Sequence, residues 1–463
     1  MNASFNEGTR TSRIVIVVVS LILIVGLTAF ALVLALGDSS GKMLTREEIL
    51  ANIEAHGEED RGYDYVASYL SYYGIGSFTS DRFRAVEIYF SQLYVGKLPT
   101  VREHALATAE LFLDNFYDEI DLTDKKTVTT ALLKCYTVAS GDPYAVYRSA
   151  DEFVEYDGDM SGEFVGLGIS VHDEFVEGTY DIKSVYVLNV FPNSGAAKAG
   201  IKKGDYITAV DGTPVTEFNA ESIVYALRGE EGTKVDVTVL RDGVELTFTC
   251  VRSHVEEISA DHRIEDGIGY ITITSFKANT AEQFRASLDA VKIAGVKGIV
   301  FDLRNNGGGY LDTVIEMVSM LVPEGTRVVS YTDRMSGETV YEASGGTKLK
   351  VPVVVLCNEN SASAAELFTA AMRDYDDMGI LDVTVVGKTT YGKGVMQSTF
   401  PLTDGSYLTL TMAYYNPPSD VNYDGIGIKP DVEVGESGEG DAQLDRATEV
   451  IKKMISEAGK LAA

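Results

Sequence analysis

Hydrophobic and polar positions change rhythm several times along this chain. From Ile14 to Gly37 no charged residue occurs. A helix over that run extends roughly 35 Å, enough to cross a bilayer core. Arg10 and Arg13 precede it and Asp38 follows it. The positive-inside tendency then places residues 1–13 in the cytoplasm and residues 38–463 outside. A cleaved signal peptide is the rival reading, but its apolar region is ordinarily shorter, and no clear Ala-x-Ala site follows. A retained anchor over residues 14–37 is the expectation.

Residues 45–140 carry apolar positions three and four apart, as in Arg82–Leu93, Val101–Phe116 and Lys125–Ala139. That spacing predicts helices, serving as an assembly element, a lid or a structural bundle. Over residues 164–255 the period shortens. Val185–Val190, Tyr206–Val210 and Lys234–Leu240 alternate with glycine turns and predict a small β-rich domain. Residues 256–435 alternate strands (Gly269–Ile273, Ile299–Leu303, Val351–Leu356, Val383–Val386) with helices (Ala281–Ile293, Leu311–Leu321, Ala364–Arg373), the pattern of an α/β domain. After the flexible joint Gly435–Gly440, Leu444, Ala447, Val450, Ile451, Met454 and Ile455 share one helical face, which should pack or dimerise.

The 463 residues suggest two or three folded units. Asp plus Glu is 69 against 39 Lys plus Arg, a formal net charge of -30. Such an excess argues against nucleic acid as a partner, because that needs a cationic surface. Cys135, Cys250 and Cys357 form no CxxC or Cys/His cluster, which argues against a zinc site. Cys250 and Cys357 lie in apolar runs and read as buried free thiols.

Phe164-Val-Gly-Leu-Gly-Ile169 opens the β-rich module. Glycines around Leu167 let successive N–H groups face one pocket, a nest suited to a carboxylate, and the following strand edge suits an extended peptide. Read alone it is an ordinary glycine turn. Farther on, Ser194–Ile207 and Val210-Asp-Gly-Thr-Pro-Val215 closely resemble the middle of a PDZ domain, with Glu221–Leu227 as the helix walling its groove. The resemblance implies a module that binds C-terminal peptide tails.

Three segments of the α/β region carry polar groups suited to chemistry. Asp302-Leu-Arg-Asn-Asn-Gly-Gly-Gly-Tyr-Leu311 joins a strand to a helix, and its glycine N–H groups suit half an oxyanion hole or simply a tight turn. Asn360-Ser-Ala-Ser-Ala-Ala-Glu366 places a serine at a helix start, where the next N–H can stabilise an oxyanion; Ser363 and Glu366 also read as a capping box. Thr389–Gln397 sets Lys393 between two glycines, either exposed or, if buried, able to lose its proton and act as a base. None of His56, His104, His172, His254 and His262 falls in these segments, and no GxSxG elbow exists.

Taken in order, Gly141-Asp-Pro-Tyr144, the PDZ stretch, Gly269–Phe276, Asp302–Leu311, Ser361–Glu366, Tyr391–Gln397 and Gly427-Ile-Lys-Pro-Asp431 resemble the carboxyl-terminal processing peptidases, also called tail-specific serine proteases. The resemblance runs from about Phe116 to Val434. It implies Ser363 as nucleophile, Lys393 as general base and Gln397 as the residue orienting that lysine. It implies an oxyanion hole from the N–H of Ala364 and those of Gly308 or Gly309. It implies tail binding at Leu167, Gly168 and Ile169, and a relay of peptide binding through Arg228. No metal or organic cofactor is implied. Two positions depart from the family's usual residues: Ala365, often Ser, and Gly307, usually Pro. The loop Asp374–Leu381 also looks long.

The expected fold class is a multidomain α+β chain: a transmembrane helix (14–37), a helical region (38–155), a PDZ domain (160–255), a serine peptidase domain of crotonase-like layered α/β architecture (256–435) and a C-terminal helix (441–463). The expected partners are proteins or peptides with accessible C-termini, the membrane through residues 14–37, and a second copy of the chain. Two other readings stay open. One is a catalytically inactive PDZ-bearing membrane adaptor; the other is an acyl-transfer enzyme of related layered architecture.

Overall fold

The computed structural model describes residues 62–435 and 440–461, apart from residues 72, 77, 176–181, 219, 335–336 and 347, together with Leu36–Gly37 and Met43–Leu44. The last two segments pair antiparallel. Leu36–Gly37 is thus extended, correcting the end of the expected anchor helix; glycine weakens a helix end. The rest of that expected helix, residues 14–35, lies outside the described residues, as do residues 45–61 and the centre of the Gly435–Gly440 joint. Among the described residues no helix is long and apolar enough to cross a membrane.

The chain forms two compact units. One comprises residues 1–155, 297–308 and 314–463, the other residues 156–296 and 309–313. Residues 256–296, expected with the peptidase segment, therefore pack in the second unit.

In the first unit, helices Gly62–Ser71, Ser80–Leu93, Val101–Phe116 and Lys125–Ala139 bury Phe83, Phe90, Phe112 and Leu132 completely. Thr100 and Glu103 form a reciprocal capping box at the third of these helices. The same core takes in Leu402, Leu408 and Leu410. Tyr89 stacks on Phe400 with centroids 5.1 Å apart, and Arg82 pairs with Asp404 at 2.8 Å. The helical segment thus buttresses the antiparallel hairpin Val395–Pro401/Tyr407–Asn416, a role its sequence did not disclose.

A parallel sheet runs Gly298–Asp302, Val353–Cys357, Val383–Gly387 and Val432–Glu433. Every residue of Val353–Cys357 is buried, which is why the strand reads as an unbroken apolar run. Helix Ala364–Asp377 packs on this sheet. Its length accounts for the Asp374–Leu381 stretch, since Asp374–Asp377 simply continues the helix. The C-terminal helix Ala442–Leu461 also packs on the sheet, with Ala447 and Ile451 fully buried. Its apolar face is therefore used within the chain. An antiparallel sheet orders Gly337–Glu342, Arg327–Asp333, Tyr407–Asn416 and Val395–Pro401, with Val146–Arg148 added. Sequence periodicity had not identified it.

In the second unit, Val244–Val251, Lys234–Arg241, Tyr206–Val210, Ile182–Val190 and Ile169–Phe175 form an antiparallel sheet in that order. Val235, Val237 and Val239 alternate inward, and with Val185, Val187 and Ile223 they make the core. Glu163–Gly166 pairs with Ser253–Glu256. Ala260–Glu265 and Ile268–Ile273 form a hairpin, beside helix Thr280–Ile293.

Candidate active site

Strand Val353–Cys357 ends in a tight loop, and Ser363 is the residue at which this loop becomes helix Ala364–Asp377. Its backbone has φ 56° and ψ −117°, a conformation that costs a residue with a Cβ about 1–3 kcal/mol. The loop is held from beneath. Ser361 Oγ donates to the Leu303 carbonyl at 2.8 Å, and Ala362 N–H donates to the Asn306 carbonyl at 2.9 Å. Asn358 and Asn360 both donate side-chain N–H to Asn305 Oδ1 at 2.9 Å. These bonds tie the serine loop to the glycine loop after strand Gly298–Asp302.

Gly308 lies against the serine. A Cβ there would stand 2.8 Å from the Ser363 Cβ and 3.0 Å from the Ala364 nitrogen, so only glycine fits, and its φ of 102° favours the same choice. The Gly308 N–H donates to Asn306 Oδ1 at 2.8 Å. The Ala364 N–H, at the positive end of its helix, has no acceptor among the described residues. Of the two predicted oxyanion donors in this unit, Ala364 is therefore open and Gly308 is engaged. Gly309, in the other unit, bridges to Phe276.

Glu366 organises the site. Its side chain is fully buried, and it accepts from Thr390 Oγ1 (2.6 Å), Gly392 N–H (2.6 Å), Lys393 N–H (2.8 Å) and Ser363 N–H (2.9 Å). Burial raises its pKa despite those four donors. One carboxylate thus caps the serine helix and also fixes the lysine loop.

Lys393 keeps part of its surface accessible, while its amine is packed in protein. Its Nζ stands over the Tyr144 ring, 4.4 Å from the centroid. Among the described residues no carboxylate lies within ion-pairing distance. Desolvation pulls its pKa down to about 8, against the opposing pull of Asp142, Glu366 and Asp424. The loop is clamped from the chain beyond it. The Tyr415 hydroxyl donates to the Lys393 carbonyl at 2.9 Å and also faces the Ser363 hydroxyl. Asn422 Nδ2 donates to the Gly394 carbonyl, and Asp424 Oδ1 accepts the Gly394 N–H.

The structure therefore holds the main chains of Ser363 and Lys393 together through Glu366, with Ala364 and Gly308 beside the serine, while among the described residues no hydrogen bond joins the Lys393 amine to the Ser363 hydroxyl. Gln397 is placed differently from expectation: its amide donates to Thr411 Oγ1 at 3.2 Å and to the Val395 carbonyl at 3.4 Å. Asp142, Tyr144, Tyr415, Asp424 and Asn306 had no predicted role. The available signal was the run Gly141-Asp-Pro-Tyr144, one of the segments that carry the family resemblance.

In the second unit, Leu167 is buried and the N–H groups of Leu167 and Gly168 have no acceptor among the described residues. Gly168 has φ 72°, and a Cβ there would meet the Ser194 Cβ at 2.3 Å. Ile169 begins the sheet-edge strand. Arg228 Nη2 donates to Asp159 at 2.6 Å, and its guanidinium lies 5.4 Å from the Phe164 ring centroid. A loop with open donors beside a sheet edge can take an extended chain end.

Comparison with known proteins extends this picture. Residues 267–434 match Peptidase family S41 and residues 165–250 match a PDZ domain. A protein of Staphylococcus haemolyticus described as a CtpA-like serine protease is 35% identical over 296 residues, which are 63% of this chain and 57% of that one. The carboxy-terminal processing protease CtpA of Bacillus subtilis is 30% identical over 318 residues, 68% of this chain and 66% of that one. The chain spans less than two thirds of the length of these curated relatives. A solved structure assigned to S41 protease from Bacteroides fragilis superposes with TM-score 0.50 at 18% identity, covering 82% of this chain and 96% of that one, which shows a shared fold.

Proposed function

From the chain's membership of peptidase family S41, carried by residues 267–434 beside a PDZ domain at 165–250, we propose that it is a serine endopeptidase that cleaves proteins near their C-termini. Ser363 is the nucleophile and Lys393 the general base. The observation that carries this reading is the shared carboxylate: Glu366 Oε2 receives both the Ser363 and the Lys393 N–H.

The uncharged Lys393 amine takes the proton of the Ser363 hydroxyl as Oγ attacks the scissile carbonyl carbon. The Ala364 N–H stabilises the developing oxyanion, and Gly308 joins once its N–H is released from Asn306. Collapse breaks the C–N bond, and the Lys393 ammonium returns its proton to the leaving amine. Water then hydrolyses the Ser363 ester with Lys393 again as base. The strained backbone of Ser363 holds its hydroxyl above the helix start, where the N–H and the helix dipole meet it.

The PDZ domain holds the substrate's terminal carboxylate at the N–H groups of Leu167, Gly168 and Ile169. The substrate adds to the edge strand Ile169–Phe175. Arg228, clamped between Asp159 and Phe164, senses that occupancy. Residues 14–35 anchor the chain as a single pass, with the peptidase outside the cytoplasm.

Two peptides of one sequence, with a free or an amidated C-terminus, test this reading on the intact chain and its Ser363→Ala and Lys393→Ala variants. Cleavage should require both side chains and should fall at least tenfold on amidation. Equal cleavage by either variant would overturn the catalytic assignment. Indifference to amidation would overturn tail capture. Labelling of accessible cysteines introduced after residue 40 in intact cells tests the orientation.

A further inference from the structure

The segment after helix Lys125–Ala139 meets the catalytic lysine. Gly141, with φ 80°, turns the chain, Ser140 Oγ accepts the Asp142 N–H at 3.1 Å, and Asp142 Oδ1 accepts the Tyr144 N–H at 3.0 Å. Asp142 is only 4% exposed. Both its oxygens are engaged by Thr411: Oδ2 accepts the N–H at 2.7 Å and Oδ1 accepts the hydroxyl at 2.9 Å. A carboxylate cannot donate, so the Thr411 hydroxyl proton points at Asp142 and its lone pairs face outward. One of them accepts Gln397 Nε2 at 3.2 Å. The polarity of the chain is thereby set, from Gln397 through Thr411 to Asp142. Tyr144, two residues on, lays its ring 4.4 Å from the Lys393 amine.

Asp142 is also the foremost charge acting on that amine, ahead of Glu366 and Asp424. Those two carboxylates accept main-chain N–H groups of the lysine loop itself. Asp142 is fixed from outside that loop, on strand Tyr407–Asn416.

We propose that Asp142 and Tyr144 are positioning residues for the Lys393 amine, and that Gln397 acts on that amine through Thr411 and Asp142 without touching it. The inference rests on Lys393 being the general base. As the Ser363 proton moves to Nζ, a positive charge appears in a desolvated place. The Tyr144 ring face and the Asp142 carboxylate stabilise that charge, and the aromatic face confines the amine.

The test has a readout independent of turnover. Trace acetylation of the intact chain across pH, followed at Lys393 by peptide mass spectrometry, reports the amine's titration midpoint. Asp142→Asn removes a negative charge with little change of shape and should move the midpoint down by about one pH unit. It should also lower kcat on the high-pH plateau, where the amine is uncharged in both proteins, while leaving KM unchanged. Tyr144→Phe should keep the wild-type rate, and Tyr144→Leu should lose at least tenfold in kcat. The double variant Gln397→Ala/Thr411→Val should lose no more than the worse single variant. An unmoved midpoint in folded Asp142→Asn, equal rates for the two Tyr144 variants, or additive losses in the double variant would each overturn the proposal. If Asp142→Asn fails to fold, the Tyr144 pair decides. If Lys393→Ala keeps its activity, the general-base reading fails, and the acetylation midpoint still judges the effect of Asp142.

Discussion

The main-chain N–H groups of Ser363 and Lys393 meet on a single oxygen, Glu366 Oε2, at 2.9 and 2.8 Å. Residues far apart in sequence are thus held within two hydrogen-bond lengths by a buried group in the first turn of the helix that Ser363 begins. Glu366→Gln replaces one acceptor oxygen by an NH2 that must face N–H donors. Its stability should fall by about 2–4 kcal/mol in urea unfolding, and its peptidase activity by at least a hundredfold.

Replacing Ser363 or Lys393 by Ala should each cost about a thousandfold or more in kcat/KM on an unstructured peptide. Circular dichroism and melting temperature should change little. Ser363→Ala keeps the Cβ and hence the strained backbone. Ser363→Gly should melt higher than Ser363→Ala, because glycine tolerates φ 56°.

The pH dependence follows from Lys393. Its pKa is lowered from 10.5 to about 8, and the base proposed here must be uncharged to act. Activity should therefore rise with pH through about 8, falling about tenfold for each unit below it. Stability carries its own sign. Between about pH 8 and 10.5 the unfolded chain holds this proton and the folded chain does not, so this group's contribution increases with pH across that window. Below pH 8 both forms are protonated and the cost of burying the ammonium is constant. Acetylation midpoints and urea unfolding across pH check the two statements separately.

Gly308→Ala should abolish activity. The new Cβ meets the Ala362 carbonyl and the Ser363 Cβ at 2.8 Å, and its φ of 102° is unfavourable for alanine. Steady-state kinetics should show the loss in kcat, since the displaced group is the proposed nucleophile.

The C-terminal helix should prove part of the sheet's packing. Ile451 is fully buried, and Gly298 leaves room for it. Ile451→Ala should destabilise the chain by about 2–5 kcal/mol, read from urea unfolding. Arg304 joins Asp302 at 2.7 Å and Asp441, ahead of that helix, at 2.6 Å. Arg304→Ala should raise protease sensitivity near residue 440 by loosening this tie.

Much of the architecture was legible from local pattern. Helices Val101–Phe116 and Lys125–Ala139 and strand Tyr206–Val210 stand where their periodicity placed them, because side-chain spacing reports directly which face is buried. Strand Arg327–Asp333 was missed. One of its two partners, Tyr407–Asn416, lies far along the chain, and its buried residues Val328, Val329 and Ser330 are consecutive instead of alternating. The Ser363, Lys393 and glycine-loop motifs were readable because each is contiguous. The common acceptor Glu366, the Gln397–Thr411–Asp142 chain and the Tyr144 ring over Lys393 were decided only by the tertiary fold. A residue's own neighbours set its backbone preference, whereas a desolvated amine or a shared carboxylate exists only once distant segments exclude water together.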